Sequence, residues 1–202
     1  MKIDLKKQLS DLYGASARAP VIVDVPPMSF LMVDGKGDPN TSEEYRDAVQ
    51  ALYSLSYTLK FAVKKGKLGI DYGVMPLEGL WWVEDMSRFT MTDKGAWSWT
   101  AMIMQPEYVT SDLFAQALAE AAKKKDIPSL SRVRFASFHE GRCAQVMHIG
   151  PYASEEPNIV RLHNFIKDGG HSRRGKHHEI YLSDPQRTAP ERLKTIIRQP
   201  LA

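Results

Sequence analysis

The chain has 202 residues, 43% of them hydrophobic and 25% charged, and a formal net charge of +3. That composition belongs to a soluble globular fold of one domain or two fused halves, and so slight a charge gives no argument for nucleic acid. The single cysteine, Cys143, excludes an intramolecular disulfide, and no apolar run reaches the roughly 20 residues needed to span a bilayer. The start of the chain, Met1 to Lys7, is charged and lacks a signal-like apolar stretch. The expectation is a cytoplasmic protein with neither membrane nor nucleic-acid partner.

Leu5, Leu9 and Leu12 recur at helical spacing and predict a helix over 4–12 inside an N-terminal extension over 1–20. Extended structure begins at Val21 and breaks at Pro26-Pro27. A strand is predicted over 28–33, closed by the turn Asp34-Gly35-Lys36-Gly37-Asp38-Pro39. Thr41 or Ser42 then caps a long helix, with Glu44 completing a capping box from Thr41. Leu52, Leu55, Leu59 and Val63 mark its buried stripe, and Lys64-Lys65-Gly66 ends it. Strands over 77–84 and 97–104, joined through a turn at Thr92-Asp93-Lys94-Gly95, put all four tryptophans in one hairpin. A second helix runs from Ser111 or Asp112 to about Lys125, where Lys123-Lys124-Lys125 complements the helix dipole. Strands over 132–138 and 143–149 flank the turn His139-Glu140-Gly141. A helix over 155–167 turns Ile159, Leu162, Phe165 and Ile166 inward, and a basic loop over 169–176 follows.

The stretch His177-His178-Glu179-Ile180-Tyr181-Leu182 alternates and stops at Asp184-Pro185, as a two-faced strand does. Ile180 and Leu182 point to a core, and His177, Glu179 and Tyr181 point the other way. An exposed strand carboxylate is the usual fate of glutamate. Glu179 gains a role only if its face looks into a cleft lined with rings. A last extended segment covers 193–198.

The order strand, glycine turn, helix, strand, strand occurs over 28–104 and again over 143–198. The aligned turns are Val33-Asp34-Gly35 and His148-Ile149-Gly150. The expected fold is α+β. Two tandem strand-helix-strand-strand modules, about 21–125 and 130–202, form one mostly antiparallel sheet inside a domain over 21–202. The helices lie on one face, and a ligand groove lies between the modules. The sheet face away from the helices would need a cover or would itself form the groove.

The chemistry this chain does not advertise narrows the site. No G-x-S-x-G elbow and no glycine-rich phosphate loop occur. His177 and His178 point apart on a strand, and no paired Cys/His spacing exists, so no metal and no cofactor are expected. Adjacent Trp81 and Trp82 must face opposite sides. Glu78, Leu80, Trp82 and Glu84 share a side, and its two carboxylates make it the expected groove or solvent side, with Trp82 preferred as the ligand-stacking ring and Trp81 left to the core.

Three segments carry a resemblance: Met75-Pro76-Leu77-Glu78-Gly79-Leu80-Trp81-Trp82, His148-Ile149-Gly150-Pro151-Tyr152, and His177 through Pro185. Together they resemble the stand-alone GyrI-like small-molecule-binding proteins, over roughly Ala19 to the C-terminus. The resemblance implies the tandem modules and a ligand groove at their pseudo-twofold interface. It also implies kinship with drug-sensing domains of transcription regulators, with gyrase-protecting proteins, and with stand-alone members that hydrolyse cyclopropane-bearing, DNA-alkylating natural products. In the drug-sensing relatives a glutamate on the last-module strand faces cationic planar ligands, and Glu179 occupies that motif position. The residues before the first module are too few for a helix-turn-helix.

The expectation is a protein that binds a planar, hydrophobic small molecule, with a cation an open option, and hydrolyses a strained ring in it. Glu179 would act as base or water-orienter, Tyr152 as hydrogen-bond donor to a carbonyl, and Trp82 as stacking wall. Glu78 would be a second groove carboxylate, and Tyr181, Trp99, Tyr72 and His148 further ligand contacts, although core is the default place for Trp99. The alternative is a non-catalytic drug-sequestering or sensing module. Nothing in the residues identifies a protein partner such as gyrase.

Overall fold

The structure, a computed structural model, describes residues 2–91, 93–124 and 126–202. Met1, the turn residue Thr92, and Lys125 at the end of the lysine run lie outside the described residues. In chain order the elements are β1 (Lys2–Ile3), α1 (Leu5–Gln8), α2 (Ser10–Tyr13), β2 (Val21–Val25), β3 (Met28–Lys36), α3 (Glu43–Lys65), β4 (Asp71–Tyr72), β5 (Leu77–Trp82), β6 (Ser98–Gln105), α4 (Ser111–Lys124), β7 (Arg134–Phe138), β8 (Gly141–Ile149), α5 (Glu156–Asp168), β9 (His177–Tyr181) and β10 (Lys194–Pro200).

Eight of the strands form one antiparallel sheet in the order β2-β8-β10-β9-β5-β6-β3-β7. The order is symmetric about the β9–β5 pair. On one side stand the strands of the second module, β9, β10 and β8, and on the other those of the first, β5, β6 and β3. The edge strands are exchanged: β2 opens the first module in sequence yet pairs with β8, and β7 opens the second yet pairs with β3. Each module therefore supplies the outer strand of the other, which ties the halves together at both rims as well as at the centre.

The register decides what each face carries. Val146, Ile197, Glu179, Gly79 and Ala101 are successive cross-strand partners and so point to one side. On that side α5 buries Ile159, Leu162 and Ile166 against Ala144, Val146 and Ile197. On the same side α3 buries Ala48, Leu52, Leu55 and Leu59 completely, and its Ser56 hydroxyl accepts from Gln105 Nε2 of β6 at 3.2 Å. Each leucine buried this way stabilises the fold by roughly 1.5–3 kcal/mol. Helices α3 and α5 thus straddle the central β5–β9 pair, and the groove opens on the helical face between α3 and the turn that precedes α5.

The opposite face is covered. Tyr13 of α2 donates its hydroxyl to Glu78 Oε1 at 2.7 Å, Arg198 Nη2 donates to the Leu12 carbonyl at 2.7 Å, and Gln145 Nε2 donates to the Asp11 carbonyl at 2.7 Å. The N-terminal segment lies against the back of the sheet as two one-turn helices broken at Leu9, not as the single helix its leucine spacing predicts. Polar contacts to buried groups on the sheet outweigh the apolar periodicity there. Two further differences are local. Ser42, not Thr41, caps α3 by accepting from the Tyr45 amide at 3.1 Å, so Glu44 is not the third residue of a capping box. The β5–β6 link is no tight hairpin turn but a longer connection with 3-10 turns at Met86–Arg88 and Lys94–Ala96.

A buried ionic chain runs along the back face. His178 lies between two carboxylates, its Nε2 3.0 Å from Glu78 Oε2 and its Nδ1 2.9 Å from Glu140 Oε1. Arg198 Nη1 donates to Glu140 Oε2 at 3.2 Å and Arg198 Nε to Gln145 Oε1 at 3.0 Å. Burial alone would lower the His178 pKa, but the charge and hydrogen bonds of Glu140 and Glu78 raise it to about 9. Burial would raise Glu140, but His178 and Arg198 bring it down to about 2. Both ring nitrogens of His178 can donate only in the imidazolium. His178 therefore stabilises the fold fully below its ordinary value of 6.5, and that contribution is lost as pH rises through about 9. Glu140 stabilises above 4.5 and loses that as pH falls towards 2. Thermal melts followed by circular dichroism should show the melting temperature dropping between pH 6.5 and pH 9, and His178→Gln should flatten that slope. Glu140→Gln, which leaves buried cations underpaired, should cost about 3–5 kcal/mol.

Candidate functional site

The groove over the β5–β9 pair has a volume of about 830 Å³, within the usual range for a small-molecule site. Its floor is made by glycine. Gly79 faces Glu179 across the strand pair, and a Cβ at Gly79 would meet Trp81 Nε1 at 2.7 Å and the indole carbons at 2.8 Å. The Trp81 ring therefore folds over the bare backbone of its own strand. Its ring centroid lies 5.7 Å from that of Tyr45 on α3 and 5.3 Å from that of Trp97. Phe89 stacks on Trp97 at 5.0 Å, and the Trp97 indole donates to the Thr90 carbonyl at 3.0 Å. These rings make one wall. Tyr152 and Tyr181, edge to face at 5.5 Å, make another.

Glu179 sits between the walls and is 5% exposed. Its two oxygens have separate donors, His177 Nε2 at 2.9 Å to Oε1 and the Tyr181 hydroxyl at 2.7 Å to Oε2. Burial would raise its pKa, but the bonds and charge from His177, the Tyr181 bond and the nearby Lys94 outweigh that and hold Glu179 below the ordinary carboxylate value. A carboxylate acceptor at Nε2 also fixes the tautomer that carries its proton there.

Glu155 is the residue that sequence reasoning took for nothing more than the start of a helix. It occupies the N-cap position of α5 without capping it, is 1% exposed, and lines the groove beside Glu179. Burial and the charge on Glu179 push its pKa up to about 9, against smaller lowering by Thr195 and Lys94. Among the described residues neither carboxyl oxygen makes a hydrogen bond of standard geometry. At neutral pH Glu155 is therefore a protonated acid next to an ionised Glu179. Two buried carboxyls with their affinities for a proton driven apart form a matched acid and base. One sequence signal was available: glutamate is a poor N-cap where Ser, Thr, Asp or Asn serve, and Ser154 stands one residue earlier.

Of the residues the sequence singled out, Glu179, Tyr152 and Tyr181 line the groove. Burial, then the charges of Glu155 and Glu179, raise Tyr152 to about 12, so its phenol stays a donor. The other five do not line it. Trp82 and Glu78 point to the back face because Trp81, one residue away, points to the groove. Trp82 lies under the Lys176 ammonium at 3.2 Å from its ring centroid, and Glu78 is wholly buried in the His178 chain. Reading the carboxylate-bearing side of β5 as the groove side inverted the strand. Trp99 shares the groove side of the sheet but is fully buried behind Tyr45, edge to face at 5.0 Å. Tyr72 packs against Tyr108 at 5.5 Å, away from the groove. His148 is buried beneath the turn before α5, its Nδ1 2.9 Å from Asn158 Nδ2 and its Nε2 3.1 Å from the Pro151 carbonyl. It braces the segment that carries Tyr152 and Glu155 without facing the groove. Among the described residues no group of three His, Cys, Asp or Glu side chains could hold a metal ion, and no helix is long and apolar enough to cross a membrane.

A family model for the GyrI-like small molecule binding domain matches residues 18–202. No curated protein matches the chain. Among solved structures, an uncharacterized conserved protein of Listeria innocua is 44% identical, with a TM-score of 0.91 over 99% of this chain and 100% of that one. A protein of the same organism described as a hydrolase is 43% identical, with a TM-score of 0.89 over the whole of both chains. The C-terminal domain of EcmrR is similar in fold alone, at 11% identity and a TM-score of 0.55 over 91% of this chain and 96% of that one.

Gly79→Ala should push the Trp81 indole off the groove floor, cost roughly 1–3 kcal/mol by overpacking, and weaken quenching of tryptophan fluorescence by a planar ligand such as acridine. Thermal melts and fluorescence titration check both parts.

Proposed function

The chain belongs to the GyrI-like small-molecule-binding family, and we propose that it holds a planar, hydrophobic ligand in its aromatic groove and hydrolyses a strained cyclopropane ring in it. The observation that carries this reading is the pair of buried carboxyls, one raised to about 9 and the other held below 4.5. A groove that only bound apolar molecules would gain nothing from desolvating both groups. The two Listeria innocua proteins described as hydrolases, 43% and 42% identical, support hydrolysis over binding alone.

The substrate class is a cyclopropane conjugated to a carbonyl. Trp81 on one side and the Tyr152–Tyr181 pair on the other bound its plane. Glu179 takes a proton from water as the water oxygen bonds to a cyclopropane carbon. The ring carbon–carbon bond breaks, and its electron pair moves through the conjugated system to the carbonyl oxygen. Tyr152 donates a hydrogen bond to that oxygen as charge develops, and Glu155 delivers the proton that neutralises it. One water is consumed, an alcohol forms at the opened carbon, and the carbonyl becomes an enol or phenol. Glu179 now carries the proton and Glu155 the charge, and a proton transfer between these neighbours restores the starting state.

Glu179→Gln should lower turnover of a cyclopropyl-indole substrate by about 10²–10⁴-fold while fluorescence quenching by that substrate persists. Unchanged turnover in that variant would overturn the mechanism, and recovery of unaltered substrate from the native protein, judged by mass spectrometry, would leave a sequestering module. The rate should fall as pH rises through about 9, where Glu155 loses its proton. The fall on the acid side should lie below pH 4.5, because Glu179 must stay ionised.

A further inference from the structure

The groove holds a second charge of opposite sign. Lys94, half-buried in the connection between β5 and β6, lines the groove together with Glu155 and Glu179. Its ammonium lies 5.2 Å from the centroid of the Trp97 ring, and among the described residues no carboxylate closes an ion pair with it. The other charged residues at the groove are exposed at its rim: Lys6, Arg46, which pairs with Glu43 at 3.4 Å, and Asp184, which pairs with Arg187 at 3.4 Å. Solvent screens such charges. Inside the groove the formal balance is then one anion, Glu179, one cation, Lys94, and a protonated Glu155.

A carboxylate among aromatic rings is by itself a site for an organic cation, since both the charge and the ring faces attract one. Here the ring face of Trp97 is already occupied by an ammonium of the chain itself, and the same ammonium acts on both carboxyls. A cationic ligand entering this groove meets Lys94 as a like charge in a partly desolvated space, where repulsion is stronger than in water. An uncharged planar ligand meets no such opposition and leaves Glu179 with its protein partners.

We propose that Lys94 sets the charge class of the ligand: by supplying the groove's cation from within the protein, it selects uncharged planar molecules and excludes organic cations. The proposal rests on the groove being the ligand site, and it does not depend on turnover. It makes Lys94 a specificity-determining residue, with Trp97 as its platform.

Acridine, uncharged at pH 8, and N-methylacridinium, a permanent cation of nearly the same shape, form a matched pair of probes for fluorescence titration at that pH. The native protein should bind acridine at least about tenfold more tightly than N-methylacridinium. Lys94→Met should invert or abolish that preference, chiefly by tightening the cation. Lys94→Arg, which keeps the charge, should retain the native preference. A native preference for the cation, or a ratio unchanged in Lys94→Met, would overturn the proposal while leaving the groove as the binding site. If neither probe quenches tryptophan fluorescence, the groove reading fails and the proposal with it. The arginine variant, checked by near-ultraviolet circular dichroism, separates loss of charge from loss of local packing.

Discussion

Two carboxyls buried side by side cannot both carry charge, and the groove is arranged around that constraint. Glu179 receives two hydrogen bonds, one from the His177 ring and one from the Tyr181 hydroxyl. Glu155 receives no hydrogen bond of standard geometry among the described residues and keeps its proton. The asymmetry does not come from depth of burial, since both are at most 5% exposed. It comes from where the chain delivers donors. Glu179 lies mid-strand, with residues two before and two after it on the same face. Glu155 ends a turn and begins a helix, and its neighbours there point elsewhere.

Strand β9 connects the groove to the rest of the fold. Its odd-numbered residues, His177, Glu179 and Tyr181, serve the groove, while His178 sits in the ionic chain of the back face. The same strand is hydrogen-bonded on one side to β10 and on the other to β5, where the modules meet. A shift of one residue in its register would exchange the groove's charges for those of the back face. The imidazolium of His178, gripped by Glu78 and Glu140, penalises any such slip, because it would leave buried charges without partners. The N-terminal segment closes this chain with Tyr13 and the carbonyls of Asp11 and Leu12. It lies ahead of the residues matched by the family model, yet it satisfies groups at the centre of the matched fold.

The order of elements, the tandem modules and the aromatic hairpin could be read from hydrophobic periodicity and turn residues, because those signals are local. So could the two faces of β9, whose alternation over five residues leaves one arrangement that buries Ile180. The faces of β5 could not. Leu80, Trp81 and Trp82 are all apolar, so alternation does not say which side is core, and the carboxylate on Glu78 pointed to the wrong one. That side is the back face, where a buried histidine takes up the charge. No spacing rule reveals this, since His178 is 100 residues away.

The sequence by itself determined an α+β chain of two related modules and put a glutamate between a histidine and a tyrosine on one strand face, because backbone periodicity assigns faces without reference to distant residues. Only the tertiary structure decided that Glu155 stands beside Glu179, that Trp81 and not Trp82 turns to the groove, and that Lys94 reaches it from a loop. Each of these depends on segments far apart in the chain being brought together by strand pairing and helix packing, and proximity of that kind leaves no periodic trace in the order of residues.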